Sequence, residues 1–176
     1  MDFAEITARL AGPSAPKETD QLDWDAIERD FGIEFPTGYK KFVSTYGTGS
    51  IGGFLWIFNP RSANRSLNGE AIRYFQYSYE ELKQDFPADY ARPAFPSVDS
   101  FLPWAVTDNG DTFVWIMNGG PADKWCVGVM GSDQAQEEIS ELGFVEFVVH
   151  LLDNKIQSDI LPQQFLKMDK FFEPVA

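Results

Sequence analysis

The sequence predicts an α+β fold: a central, mainly antiparallel sheet with an N-terminal helix pair and a C-terminal helix packed against it. Three observations carry this. Apolar residues recur at spacings of three and four around residues 24–46, 72–86 and 144–152, the period of a helix with one buried face. Asp108-Asn109-Gly110-Asp111 separates two apolar, aromatic-rich runs. That is a tight-hairpin signal, because Asn and Gly both accept positive φ. At 176 residues, 44% hydrophobic and 15% aromatic, the chain can bury a core without staples. Residues 1–176 are expected to form one domain, with 156–176 as a C-terminal tail packed on it.

The elements follow in order. Residues 2–11 read as a short helix through Phe3, Ile6 and Leu10, ended by Gly12-Pro13-Ser14-Ala15-Pro16. A second helix opens at Asp23, an N-cap residue, puts Trp24, Ile27 and Phe31 on one face, and stops at Gly32. Pro36 suits the first turn of a third, whose stripe is Tyr39, Phe42, Val43 and Tyr46, closed by Gly47. Ile51 to Phe58 reads as one strand ending at Asn59-Pro60. After a polar loop over 61–68, Ile72, Phe75, Tyr79, Leu82 and Phe86 mark a fourth helix bounded by Pro87. Residues 87–103 hold four prolines and read as a long loop, of the kind that is often functional or mobile. Trp104–Thr107 and Thr112–Met117 flank the hairpin turn, and Lys124–Met130 adds a third strand, completing a meander. A last helix spans about 140–154, and the tail offers a short helix that docks on the body.

Composition excludes several kinds of chemistry. One Cys and one His cannot build a disulfide framework within the chain or a Cys₂His₂, Cys₄ or His₃ zinc site. The opening Met1-Asp2-Phe3-Ala4-Glu5 has no basic n-region, and no apolar run is long enough for a bilayer span, so a cytoplasmic location and no membrane contact are expected. Fourteen Lys and Arg against 27 Asp and Glu give a net charge of −13. Direct nucleic-acid binding is therefore disfavoured.

Individual motifs reduce to structure. Gly47-Thr48-Gly49-Ser50-Ile51-Gly52 spells G-x-G-x-x-G, but a dinucleotide fingerprint needs a strand before it and a helix after it, and here the order is reversed. Cys126 and His150 form the single possible thiol–imidazole pair; Cys126, between Trp125 and Val127, reads as a packed thiol and His150 as a surface residue. Asp108 and Asp111 flank a turn for backbone reasons, without a calcium-loop pattern. The Trp residues of the helix stripe and the meander read as core rather than as a sugar platform. No catalytic residue, metal or cofactor is expected.

Charge distribution says more. Between Trp125 and Asn154 stand six acids (Asp133, Glu137, Glu138, Glu141, Glu146, Asp153) and no Lys or Arg, while Arg61, Arg65 and Arg73 gather around the polar loop. An acid cluster can speed encounter with a basic protein, and it can equally be a solvated face that keeps the chain soluble.

Two segments resemble the SMI1/KNR4 family of the SUKH superfamily. The first is Trp24-x-x-Ile27-Glu28-x-x-Phe31-Gly32-Ile33-x-Phe35-Pro36-x-x-Tyr39-x-x-Phe42, followed by Tyr46-Gly47-x-Gly49. The second is Trp104-Ala105-Val106-x-x-Asn109-Gly110-Asp111-x-Phe113-x-Trp115 with Trp125-x-Val127. The resemblance implies a SUKH-like α+β fold. It also implies a non-catalytic protein-binding role, most often that of a bacterial immunity protein that blocks a toxin domain, frequently a nuclease. Some relatives act instead as cell-wall and signalling scaffolds. It offers no catalytic motif to carry over. The expected partner is a basic toxin domain; the alternative is a regulatory adaptor. On exposure and sign alone, the residues expected to meet a partner are Asp108 and Asp111 at the hairpin tip, and Glu137, Glu138 and Glu141 before the last helix. An enzyme remains a third reading, promoted by a cleft holding two carboxylates with raised pKa values.

Overall fold

The computed structural model describes residues 1–20 and 22–175. Helix α1 (Ala4–Thr7) is a single turn, shorter than the periodicity predicts. Helix α2 (Trp24–Phe31) starts where Asp23 accepts the Ala26 N–H and ends at Gly32, whose φ of 71° closes it in the left-handed region. Helix α3 (Thr37–Tyr46) follows directly on Pro36.

Instead of one strand over 51–58, the chain makes a hairpin of β1 (Gly49–Ile51) and β2 (Leu55–Ile57). The reason lies in Gly52 and Gly53, with φ of 67° and 63°: two successive residues take a backbone that side chains resist, and the chain folds back. Asn68 caps α4 (Gly69–Asp85) by accepting the Glu70 and Ala71 N–H groups.

Strands β3 (Phe101–Thr107) and β4 (Thr112–Ile116) form the predicted hairpin, β5 (Cys126–Met130) follows after a 3₁₀ turn at Ala122–Lys124, and β6 (Glu137–Ile139) completes the meander. The first three residues of β3 come from the stretch expected to be loop. Pro103 fits this interior strand because the register shifts between it and Ala105. Strand β6 was not legible as a strand, and the helix after it, α5 (Phe144–Leu152), begins about four residues later than predicted. The tail gives the expected short helix, α6 (Gln163–Lys167), and also β7 (Phe172–Pro174), which pairs with β1.

The seven strands lie in the order β6-β5-β4-β3-β2-β1-β7, every described neighbour antiparallel. Alternation along β4 divides the core. Phe113 and Trp115 face α3 and α5: Trp115 lies 4.9 Å from Tyr39 and 5.9 Å from Phe144, and Phe113 5.9 Å from Phe147, between ring centroids. Trp104 stacks beside Trp115 at 6.1 Å. Val114 and Ile116 face the other way, into a second cluster with Phe101, Met130, Tyr79 of α4 and Tyr90 of the loop. The sheet is thus covered on both faces. Both edge strands are three residues long, one carrying Glu137 and Glu138, the other Glu173 and Pro174, features that discourage sheet-to-sheet association.

Candidate interaction surface

The reactive groups do not converge. Cys126 pairs with Ile116 and is half-buried against the cluster beneath α4, whereas His150 sits on α5, across the sheet. The Gly47–Gly52 run joins the end of α3 to β1 and the following turn, helix before strand. Among the described residues, no group of three or more His, Cys, Asp or Glu is placed to hold a metal ion. No described helix is long and apolar enough to cross a membrane.

The five candidate contact residues are scattered. Asp108 is exposed, and its carboxylate accepts the Trp56 indole N–H at 2.7 Å. Asp111, expected at the surface, is only 6% exposed; its carboxylate accepts the Thr107 hydroxyl while its N–H donates back to that hydroxyl. It closes the hairpin from inside and offers no charge to a partner. Glu137 is paired with Arg92 through two bonds of 2.6 and 2.9 Å. Glu138 is half-buried and accepts the Asp159 N–H at 2.7 Å. Glu141 is exposed. Because β6 runs antiparallel to β5, with Met130 opposite Glu137 and Gly128 opposite Ile139, Glu141 continues away from the Asp108 end. Five-residue strands separate the two ends by about 17 Å.

The Asp108 end is built by topology. In a meander the turns after β1, β3 and β5 fall together. The Asp108 N–H donates to Phe54 O of the first turn, and a Cβ on Gly110 would lie 3.4 Å from the Ser132 Cβ of the third. Besides the inward-turned Asp111, these turns carry exposed Asp108 and Asp133 and no Lys or Arg. Asp133 is exposed, with one carboxylate oxygen accepting the Ala135 and Gln136 N–H groups. The result is a small anionic rim.

The Glu141 end is different. A groove of about 450 Å³ lies between the starts of α3 and α5, lined by Asp2, Asp123, Glu141 and Glu146, and also by Lys41 and Lys124. Asp123 caps α3 from across the groove, accepting the Thr37 N–H at 2.5 Å and the Thr37 hydroxyl at 2.8 Å. Its charges are mixed in sign and partly committed to the fold.

The arginine cluster is matched. Arg61 pairs with Asp30 at 3.0 Å, Arg65 approaches Glu70 at 4.0 Å, and Arg73 donates to the Asp30 carbonyl while lying over the Phe31 ring. Hydrogen bonds from Arg9 and Lys155 hold the Asp153 carboxyl down at about 2. The long loop is pinned rather than loose: Tyr90 donates to Asp133 O, Tyr79 accepts the Arg92 N–H, and Arg92 reaches Glu137.

Sequence reasoning passed over two large side chains, Tyr74 and Tyr77, which are exposed on α4. The signal was present, since both fall off the helix's own apolar stripe.

No curated protein and no solved structure matches the chain. The family described as SUKH_6, SMI1-KNR4 cell-wall, matches residues 21–148, well over half of the sequence. The matched stretch holds α2 to α4, the whole β1–β6 meander and the first half of α5. Within it, Gly32 ends α2, Pro36 starts α3, and Tyr39, Trp104 and Trp115 form one aromatic core. Over this stretch and this fold, the chain belongs to the SMI1-KNR4 cell-wall family SUKH_6.

Proposed function

We propose that this chain is a non-catalytic protein-binding domain of the immunity type, which neutralises a basic, nuclease-like toxin domain by covering it. The observation that supports the reading is where the charge sits on this family's fold. Twenty of the 27 carboxylate residues are exposed, against nine of the 14 Lys and Arg. Over 8624 Å² of surface, the −13 net charge averages one per about 660 Å², too thin to steer a partner by itself. Local excess, as at the Asp108 rim, has to do the steering. A nuclease groove is cationic because it receives phosphate, so an anionic surface can occupy it.

The test is inhibition. The purified chain is titrated into basic nuclease toxin domains, including any encoded beside it, with nucleic-acid cleavage as the readout. Stoichiometric inhibition with an association rate that falls as salt rises is the expected result. No inhibition of any domain overturns the reading. The family's cell-wall description favours a second reading, a scaffold adaptor. That reading gains if the chain inhibits nothing yet forms a stable complex with a non-toxic protein of its own cell.

A further inference from the structure

We infer that the outward face of α4, centred on Tyr74 and Tyr77, is the surface on which a basic protein partner docks; this rests on the protein-binding reading above and names the contact site within it.

Four observations converge. First, at 100° per residue from Tyr77, the residues Glu70, Arg73, Tyr74, Glu80, Glu81 and Gln84 fall within about 60°. All are exposed except Glu80, which is half-buried, while Ile72, Gln76 and Tyr79 lie buried on the inner side. Tyr74 and Tyr77 are 67% and 58% exposed, more than Ile72 and Tyr79 of the same helix at 0% and 4%. Burial of the sheet does not require them. Tyrosine is also a side chain that anchors interfaces, since a large rigid ring comes with a polar tip.

Second, the helix is electrically one-sided. It carries Glu70, Glu80, Glu81 and Asp85 against Arg73 and Lys83. Both cations are bound to backbone carbonyls of neighbouring segments: Arg73 to Asp30 O, Lys83 to the carbonyls of Ala91 and Arg92. Among the described residues, Glu81 and Asp85 are exposed without a cation partner, Glu70 meets only Arg65 at 4.0 Å, and the Tyr77 hydroxyl donates to Glu81 at 2.6 Å. An aromatic pair in an anionic frame fits Arg and Lys side chains, which can lie over the rings and reach the carboxylates.

Third, the same charge disfavours a second copy as occupant. Two chains of net charge −13 meeting through a helix with excess carboxylates repel each other.

Fourth, the platform is firm. Gln76 donates to Phe101 O, Gln134 donates to Phe75 O, and the Tyr79 and Phe101 rings meet at 4.9 Å. A 17-residue helix about 25 Å long and 10 Å wide presents only a few hundred Å². A stable interface buries about 800 Å² per partner. The face can therefore supply only the centre of a contact of that size.

The experiment uses the full chain and the panel of inactivated basic nuclease toxin domains, with affinity measured by titration and the contact mapped by amide hydrogen exchange. The double variant Tyr74→Ala/Tyr77→Ala is expected to weaken binding about 30-fold or more. Glu81→Lys is expected to slow association about tenfold at low salt. Both variants should keep the wild-type melting temperature, because neither ring is buried, and wild-type exchange should slow along α4 on binding. If the wild type binds and both variants bind equally well, the docking surface is refuted while the protein-binding reading survives. If the wild type binds no domain, that reading falls and takes this inference with it. If sedimentation shows a dimer of the chain alone that the tyrosine variants abolish, the face belongs to a second copy and the inference is overturned.

Discussion

Replacing Tyr39 by Phe removes one hydroxyl from the centre of the molecule. Tyr39 is 0% exposed, and its phenol donates to Phe58 O at 2.5 Å, tying α3 to the end of β2. The ring contacts to Trp24, Phe35, Trp115 and Phe144 would remain. What changes is that Phe58 O, itself buried, loses its donor. A stranded buried acceptor costs about 1–3 kcal/mol, and complete burial places Tyr39 at the upper end, about 2–3 kcal/mol. Tyr46 is the internal control: its hydroxyl donates to Leu10 O at 2.7 Å. Both side chains are 0% exposed, but burial raises the Tyr39 phenol further than the Tyr46 phenol, which it pushes up to about 12, so the Tyr46 hydroxyl is the less deeply packed of the two. Tyr46→Phe should then cost about 1 kcal/mol. With a urea slope of about 2 kcal/mol per M, the midpoints should fall by about 1–1.5 M and about 0.5 M respectively. Equal shifts, or a larger one for Tyr46→Phe, would refute the argument that burial of the orphaned carbonyl sets the cost.

Further predictions concern the chain's attachments. Burial raises the Glu18 carboxyl, but hydrogen bonds from Thr48, Ser62 and the Ala63 N–H outweigh it and hold the group below its ordinary 4.5. Its stabilisation is therefore present above that value and lost as pH falls through the lower folded value. Glu18→Gln should lower the unfolding free energy at pH 7 by less than about 1 kcal/mol, and the gap should close in acid; a gap independent of pH contradicts this. Gly47→Ala should cost about 2–4 kcal/mol, since φ is 73° and the new Cβ would lie 2.1 Å from Lys17 O. Hydrogen exchange at Thr48, whose N–H donates to Lys17 O, should then accelerate, and unchanged protection would speak against it. Arg92→Ala should open the 86–100 loop to chymotrypsin while global stability changes by less than about 1 kcal/mol, because it removes the Glu137 pair and the bond to Asp99 O. Equal cleavage rates would show that Tyr90, Lys83 and the backbone bond from Arg92 to Tyr79 suffice to hold the loop.

Local signals were read correctly where the code is local. Asp23 and Gly32 bracket α2 as capping rules require, and Asn109-Gly110 turns the β3–β4 hairpin. The misreadings share a cause. Ile51–Phe58 looks continuous because its apolar side chains outweigh two glycines in a composition count, yet backbone freedom at Gly52-Gly53 decides the path. Glu137-Glu138-Ile139 has no strand-like alternation, and it pairs because β5 offers an open edge. The contact residues were chosen on sign, and sign is silent about burial: Asp111 turns inward to Thr107 and Glu137 is matched by Arg92 from 45 positions away.

The sequence by itself determined the class of fold, the order of most elements, the net charge of −13 and the aromatic composition of the core. These depend on periodicity, capping and counting, which neighbouring residues carry. Only the tertiary structure decided that the tail closes the sheet through β7, that Asp108 and Glu141 lie at opposite ends of it, and that both cations of α4 are tied to backbone carbonyls while Tyr74 and Tyr77 face outward. Each of these is a relation between segments distant in the chain, and a carboxylate or ring is available to a partner only after every such relation has been settled by packing.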